Sequence, residues 1–277
     1  MTYEKLNLAD GQVLTADHLK HIEEGIASAG SALGGLKGKK ISFLGDSITT
    51  FNGYNPAGYA VWYPNDTAGI TDVDKTWWMQ LIKATGMVLL KNAAWSGSLV
   101  TGASNGADAS AGCSNKRIAD LAGDDGTHPD IIVVLIGIND FANGRSVGNW
   151  DGTYIPSDGT ISGVSEAYAL MAYKIANAYP NAEVFMCTLL ECQVSSYDGG
   201  FDSRTIIDWN DAIRFVAESF GFNVIDMHAC GINYYNARSL TAEGLHPNAK
   251  GARMMAKKAV VEIGSKSIHC GLLADEI

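Results

Sequence analysis

Five short runs along this chain are apolar almost throughout rather than at every second position: KISFL at 40–44, MVLLK at 87–91, IIVVLI at 131–136, EVFMCTL at 183–189 and FNVID at 222–226. A strand with one wet face alternates, whereas a strand covered on both faces does not. Stretches with helical spacing lie between the runs, around 75–85, 115–122, 165–179 and 204–219, with another at 248–263 after the last run. Strands and helices taking turns, with the strands buried on both sides, predict a three-layer α/β/α sandwich around a mostly parallel sheet of about five strands. In such a fold ligands bind in the crevice outside the carboxyl ends of the strands. Chemistry is therefore to be sought just after residues 44, 91, 136, 190 and 226.

Composition narrows the classes of partner. Of 277 residues, 47 % are hydrophobic, enough for a folded core, and the formal net charge of -10 disfavours any ligand held mainly through phosphates, nucleic acid included. No window approaches the roughly 20 apolar residues of a spanning helix, and the start, MTYEKLNLADGQ, has no apolar stretch behind a basic end. A cytoplasmic protein with no membrane contact is the expectation. The five cysteines, Cys113, Cys187, Cys192, Cys230 and Cys270, show no CxxC or Cys/His spacing, so reduced thiols and no metal are expected.

Ahead of the alternating region, residues 15–30 carry Leu19, Ile22 and Ile26 at helical spacing behind Thr15 as a potential N-cap. The glycine-bearing SALGGLKGKK then reads as a linker. The chain thus divides into an N-terminal helical segment with its linker, 1–36, and a main domain, 37–277.

Four short blocks sit at the predicted sheet edge. Gly45-Asp46-Ser47-Ile48-Thr49 follows the first strand, Asn92-Ala93-Ala94-Trp95-Ser96-Gly97 the second and Gly137-Ile138-Asn139-Asp140 the third, and Glu243-Gly244-Leu245-His246-Pro247-Asn248 opens the last helix. In this order they resemble the blocks of the SGNH hydrolases, the GDSL family of esterases and lipases, over roughly residues 39–263. The resemblance implies a flavodoxin-like hydrolase fold and a serine esterase. The residues that match the family's Ser, Gly, Asn and His are Ser47, Gly97, Asn139 and His246.

The chemistry of these side chains agrees with what the resemblance implies. A serine hydroxyl is a poor nucleophile unless a base takes its proton, and His246 can be that base. The attacked carbonyl becomes an oxyanion, for which the backbone N–H groups of Ser47 and Gly97 and the Asn139 amide are donors. Asp46, beside the nucleophile, counts as a supporting residue. Each block also has a plainer reading: Ser47 as a helix cap, Gly97, Asn139 and Asp140 as turn residues, His246 as the residue before a helix-opening proline. The family places aspartate three residues before the histidine, and this chain has Glu243. A glutamate can accept from the imidazole Nδ1–H and fix the tautomer that offers Nε2 to the serine. A backbone carbonyl or Asp226 is the other route to orienting His246.

Rival motifs are weaker. Gly144-Arg145-Ser146-Val147-Gly148 matches the G-x-S-x-G elbow, but no strand precedes it and no helix follows. Asp125-Gly126-Thr127-His128-Pro129 leads into the strand at 131, which places His128 on the amino-terminal edge, away from Ser47. His18 and His21 belong to the N-terminal helix.

Serine chemistry requires no cofactor. The loop after Ser47 holds Tyr54, Tyr59, Trp62 and Tyr63, and the one after Asn139 holds Phe141 and Trp150. Such rings either face a sugar or acyl group or pack locally. Polar, glycine-rich loops favour short O-acyl esters, acetyl on a carbohydrate first, over long-chain lipid. The expected substrate is thus a small-molecule or saccharide ester cleaved through an acyl-enzyme. The alternatives are a lipase or thioesterase of the same fold, or a surface-binding module in which Glu243 marks a degenerate site. Gly11 to His18 resembles a short module at the front of some phage tail and baseplate-associated proteins. That resemblance implies phage-particle association, or a homo-oligomer formed through the N-terminal helix. The other reading docks this helix on its own domain.

Overall fold

The computed structural model describes residues 15–20, 35–103, 106, 108–193 and 206–274, the last eight by backbone alone. Five strands, β1 (Lys40–Gly45), β2 (Val88–Asn92), β3 (Ile131–Leu135), β4 (Glu183–Cys187) and β5 (Asn223–Ile225), form one sheet in the order β2-β1-β3-β4-β5. Every neighbouring pair is parallel. All five residues of β3 and all but the first of β1 are buried, as their unbroken apolar runs require, whereas the edge strand β2 leaves Val88 half exposed.

Among the described residues of the main domain, the helices that complete the layers are α1 (Trp77–Thr85), α2 (Asn115–Ala119), α3 (Ile138–Ala142), α4 (Val164–Ala178), α5 (Ile207–Ser219), α6 (Ala237–Leu240) and α7 (Ala249–Ala274). α1 packs against α7 on one side of the sheet, while α4 packs against α2 and α5 on the other. Helix α1 begins where the Thr76 hydroxyl accepts from the Met79 N–H and ends at Gly86 in the left-handed region, φ 71°. Its Trp77 is buried edge-on against Phe43 of β1, ring centroids 5.5 Å apart. Helix α7 runs well past the expected end at 263, and the short helices α3 and α6 have no counterpart in the sequence reading.

Strand order 2-1-3-4-5 is that of the flavodoxin-like sheets, and its switch point lies between β1 and β3. From β1 the chain crosses to one side of the sheet and from β2 back over to the other, so the loops leaving β1 and β3 diverge and a crevice opens between them. Ser47 follows β1 and Asn139 follows β3, so both stand at that crevice.

Of the N-terminal segment, residues 16–20 are helical and the Thr15 hydroxyl accepts from the His18 N–H at 3.3 Å, as an N-cap does. Its remainder, with Ile22, Ile26 and His21, lies outside the described residues. Leu36 is fully buried in the main core, so the packed body already includes the last residue assigned to the linker.

Candidate active site

The turn after β1 is built around Gly45. A Cβ there would come within 2.8 Å of the Thr49 Cβ and 3.1 Å of the Leu135 carbonyl oxygen, so only glycine lets β1 bend at this point. Asp46 follows, its Oδ1 accepting from the Ile48 N–H at 3.0 Å and closing the 3₁₀ turn Ser47–Thr49. Arg117 of α2, fully buried, donates to the Gly45 carbonyl at 2.7 Å and to the Ser110 carbonyl at 2.9 Å, clamping the turn from behind. Burial pushes the Asp46 carboxyl up to about 7, although the Ile48 N–H and Arg117 both oppose the rise. Burial likewise brings the Arg117 guanidinium down to about 10.

His246 lies in a narrow turn between α6 and α7. The Ala242 N–H donates to the His246 carbonyl at 2.8 Å, Gly244 takes φ 100°, and its N–H donates to the Thr241 hydroxyl at 2.9 Å. The turn brings the ring against residues nearly two hundred positions away: Nε2 stands 2.7 Å from the Ser47 Oγ. On the other side Nδ1 meets the Glu243 Oε1, and the same oxygen accepts from the His246 backbone N–H at 3.1 Å. A carboxylate has no proton to give, so Nδ1 carries the hydrogen and Nε2 is left to accept from the serine hydroxyl. Asp226, the other acid weighed for this place, is engaged elsewhere, accepting from the Thr188 hydroxyl at 2.8 Å and from Arg214 at 3.0 Å. One face of the His246 ring is covered by Trp62, stacked with centroids 3.9 Å apart and 8° between planes. The neighbouring Tyr63 donates its hydroxyl to the Pro247 carbonyl at 2.6 Å, tying the two loops together.

The loop after β2 is laced to the β1 turn by the Ala93 N–H to the Phe43 carbonyl and the Trp95 N–H to the Gly45 carbonyl, at 2.8 and 3.0 Å. Two residues on, Gly97 has φ 77° with nothing within 4 Å of where a Cβ would stand. The left-handed backbone, rather than crowding by the protein, is what calls for glycine here. The Asn139 amide, in the first turn of α3, donates to the Ser98 carbonyl at 2.9 Å, and among the described residues its second N–H has no acceptor. Neither the Ser47 nor the Gly97 N–H donates to another described group.

The sequence reading passed over Asp140 as a turn residue. Its fully buried carboxylate accepts from the Val100 N–H at 2.7 Å, the Thr101 N–H at 3.0 Å and the Thr101 hydroxyl at 2.6 Å. These bonds hold the Gly97 loop to the helix that carries Asn139. Arg117 was missed for the same reason, since the carbonyls it holds are distant in sequence or in irregular backbone. Buried charges beside glycine-rich turns are the signal that could have pointed to both.

The rival motifs do not join this group. His128 is exposed ahead of β3 and packs edge-on against Tyr179, and Ser146 lies exposed in a loop after α3. Of the loop aromatics, Tyr59, Tyr63 and Trp150 are buried, Tyr59 stacking on Trp95 at 4.0 Å, so they serve local packing. Cys113, Cys187 and Cys230 are buried, and burial raises all three thiols. Among the described residues no three His, Cys, Asp or Glu side chains are grouped to hold a metal ion, and no helix is long and apolar enough to cross a membrane.

Comparison with known proteins meets this geometry from outside. Residues 39–199 match the sequence profile of the GDSL-like lipase/acylhydrolase family. A multidomain esterase of Ruminococcus flavefaciens is 31 % identical over 132 residues, 47 % of this chain but only 15 % of that protein. A solved structure from Lactobacillus plantarum superposes with a TM-score of 0.62 at 20 % identity, covering 83 % of this chain and 98 % of the other. An acetylxylan esterase from Geobacillus stearothermophilus gives 0.51 at 20 % identity, covering 82 % and 95 %. At such identities the two structures share the fold.

Proposed function

The chain belongs to the GDSL-like lipase/acylhydrolase family, and we propose that it is a serine esterase that removes short O-acyl groups, acetyl foremost, from a carbohydrate. The observation that carries this reading is the placement of one imidazole between a serine hydroxyl and a carboxylate, with Nε2 2.7 Å from the Ser47 Oγ and Nδ1 on Glu243. In this reading the Ser47 Oγ attacks the ester carbonyl while His246 takes its proton, and Glu243 stabilises the imidazolium that forms. Charge gathers on the carbonyl oxygen, where the Ser47 and Gly97 N–H groups and the second N–H of Asn139 receive it. His246 then returns the proton to the departing alcohol. Water, deprotonated by the same ring, releases the acyl group and restores the serine.

The acetyl and carbohydrate parts of the proposal draw support from the polar, glycine-rich loops around the crevice and from the names of the relatives, an esterase and an acetylxylan esterase. The test is a chain-length series of p-nitrophenyl esters from acetyl to palmitoyl, followed by a panel of acetylated saccharides, for the wild type and Ser47→Ala. Acetyl turnover that falls by on the order of 10⁴-fold or more in the folded variant is expected. A preference for long chains would point instead to a lipase, and undiminished turnover in Ser47→Ala would overturn the assignment.

A further inference from the structure

The proposed mechanism makes no use of the parallel stack of Trp62 on His246. Two rings 3.9 Å apart and within 8° of parallel put the negative face of the indole directly over the imidazole. The placement is built rather than incidental. The Trp62 backbone N–H donates to the Thr50 hydroxyl at 2.9 Å, and that hydroxyl donates to the Ser47 carbonyl at 2.9 Å. On the other flank Tyr63 packs edge-on against Trp62 and bonds the Pro247 carbonyl, next to His246. The nucleophile's own turn therefore anchors the backbone that carries this indole, and Tyr63, tied to the histidine's own turn, packs against its ring.

Resting on the esterase reading, we propose that Trp62 is a positioning residue that stabilises the His246 imidazolium formed at each acyl transfer, through the face of its ring. A cation over an indole face gains most where water is excluded, and His246 is buried. The neutral ring of the free enzyme gains much less, so the contact acts on the transition state rather than on substrate binding. The same stack holds the ring plane in line with the Ser47 Oγ and Glu243. Other charged or titrating groups that face the site are Glu243 from the same turn, Asp46 beside Ser47, and the Tyr63 hydroxyl. Glu191, from the loop after β4, faces the Tyr234 N–H and His228 instead.

Trp62→Leu and Trp62→Phe are to be compared with the wild type by steady-state kinetics across pH, with thermal unfolding to show that each is folded. The expected result for Trp62→Leu is a fall in kcat of about tenfold with KM nearly unchanged. Because the indole favours the cation, the acid limb of kcat/KM moves to lower pH when the indole is lost. Trp62→Phe, with a weaker ring face, falls between. A pH titration of tryptophan fluorescence should show a quenching step from the imidazolium in the wild type that is absent in His246→Ala and in Trp62→Phe. An unchanged kcat, a loss confined to KM, or an acid limb that stays in place or moves to higher pH would overturn the proposal. A wild type that turns over no ester would overturn the esterase reading instead, and the fluorescence titration would then decide the contact by itself.

Discussion

A single oxygen of Glu243 holds His246 at two points, accepting the ring Nδ1–H and the backbone N–H of the same residue. The longer arm of glutamate, relative to the family's aspartate, lets one carboxylate three residues back curl around to both donors. Its side chain is 43 % exposed, so water screens the charge that it presents to the ring.

Glu243→Gln should therefore cost less than the roughly 10⁴-fold seen when a fully buried partner is neutralised in a serine protease. A fall in kcat of about 10²-fold is expected, with folding preserved. Glu243→Asp withdraws the carboxylate by one methylene from a turn shaped to the longer arm, so it should lower kcat, by about tenfold, rather than restore it. Steady-state kinetics on p-nitrophenyl acetate decide both. Near-normal turnover in Glu243→Gln would leave Ser47 and His246 acting as a pair.

Asn139→Ala removes the side-chain donor of the suggested oxyanion site, and a loss of about 10²- to 10³-fold in kcat is expected, with KM little changed. It also strands the Ser98 carbonyl, for which a stability loss of about 1 kcal/mol in urea unfolding is expected. A KM effect without a kcat effect would place Asn139 in substrate binding rather than at the oxyanion.

The sheet was legible because burial on both faces writes itself into consecutive residues, as in IIVVL of β3, and because the sheet's carboxyl edge is where function gathers. At that edge it was the resemblance of the blocks to those of the SGNH hydrolases that paired Ser47 with His246 across 199 positions. What stayed hidden depended on contacts that no local pattern encodes. Asp140 looks like a turn residue until Val100 and Thr101 are seen folded onto it. Trp62 looks like any loop aromatic until the His246 turn lies beneath it. The reach of Glu243 likewise required the turn itself, since a glutamate in that place is compatible with either orientation of the histidine.

Asp140→Asn tests the loop clamp. One carboxylate oxygen serves Val100 and the other serves both groups of Thr101, and an amide replaces one of those acceptors with a donor. At least one buried N–H loses its partner, so unfolding in urea should show a loss of about 1–3 kcal/mol. Because the loop carries Gly97, kcat should fall more than KM rises. A variant as stable and as active as the wild type would show that the loop holds its shape without the clamp.

The last prediction concerns pH and Asp46. In the native chain this carboxyl holds its proton up to about pH 7, while the unfolded chain releases it near the ordinary value of 3.8. Between those limits the native state binds the extra proton, so this group's contribution to stability falls as pH rises: it is fully present below 3.8 and lost once pH passes about 7. Asp46→Asn keeps an oxygen to accept from the Ile48 N–H but has nothing to titrate. Its stability relative to the wild type should therefore improve between pH 5 and pH 8, by on the order of 2 kcal/mol, and stay level above that. Urea unfolding of both proteins at pH 5, 6, 7 and 8 measures the difference, in which the titrations common to both cancel. A difference that does not vary with pH would show that Asp46 is ionised throughout, its buried charge held by Arg117 and the Ile48 N–H.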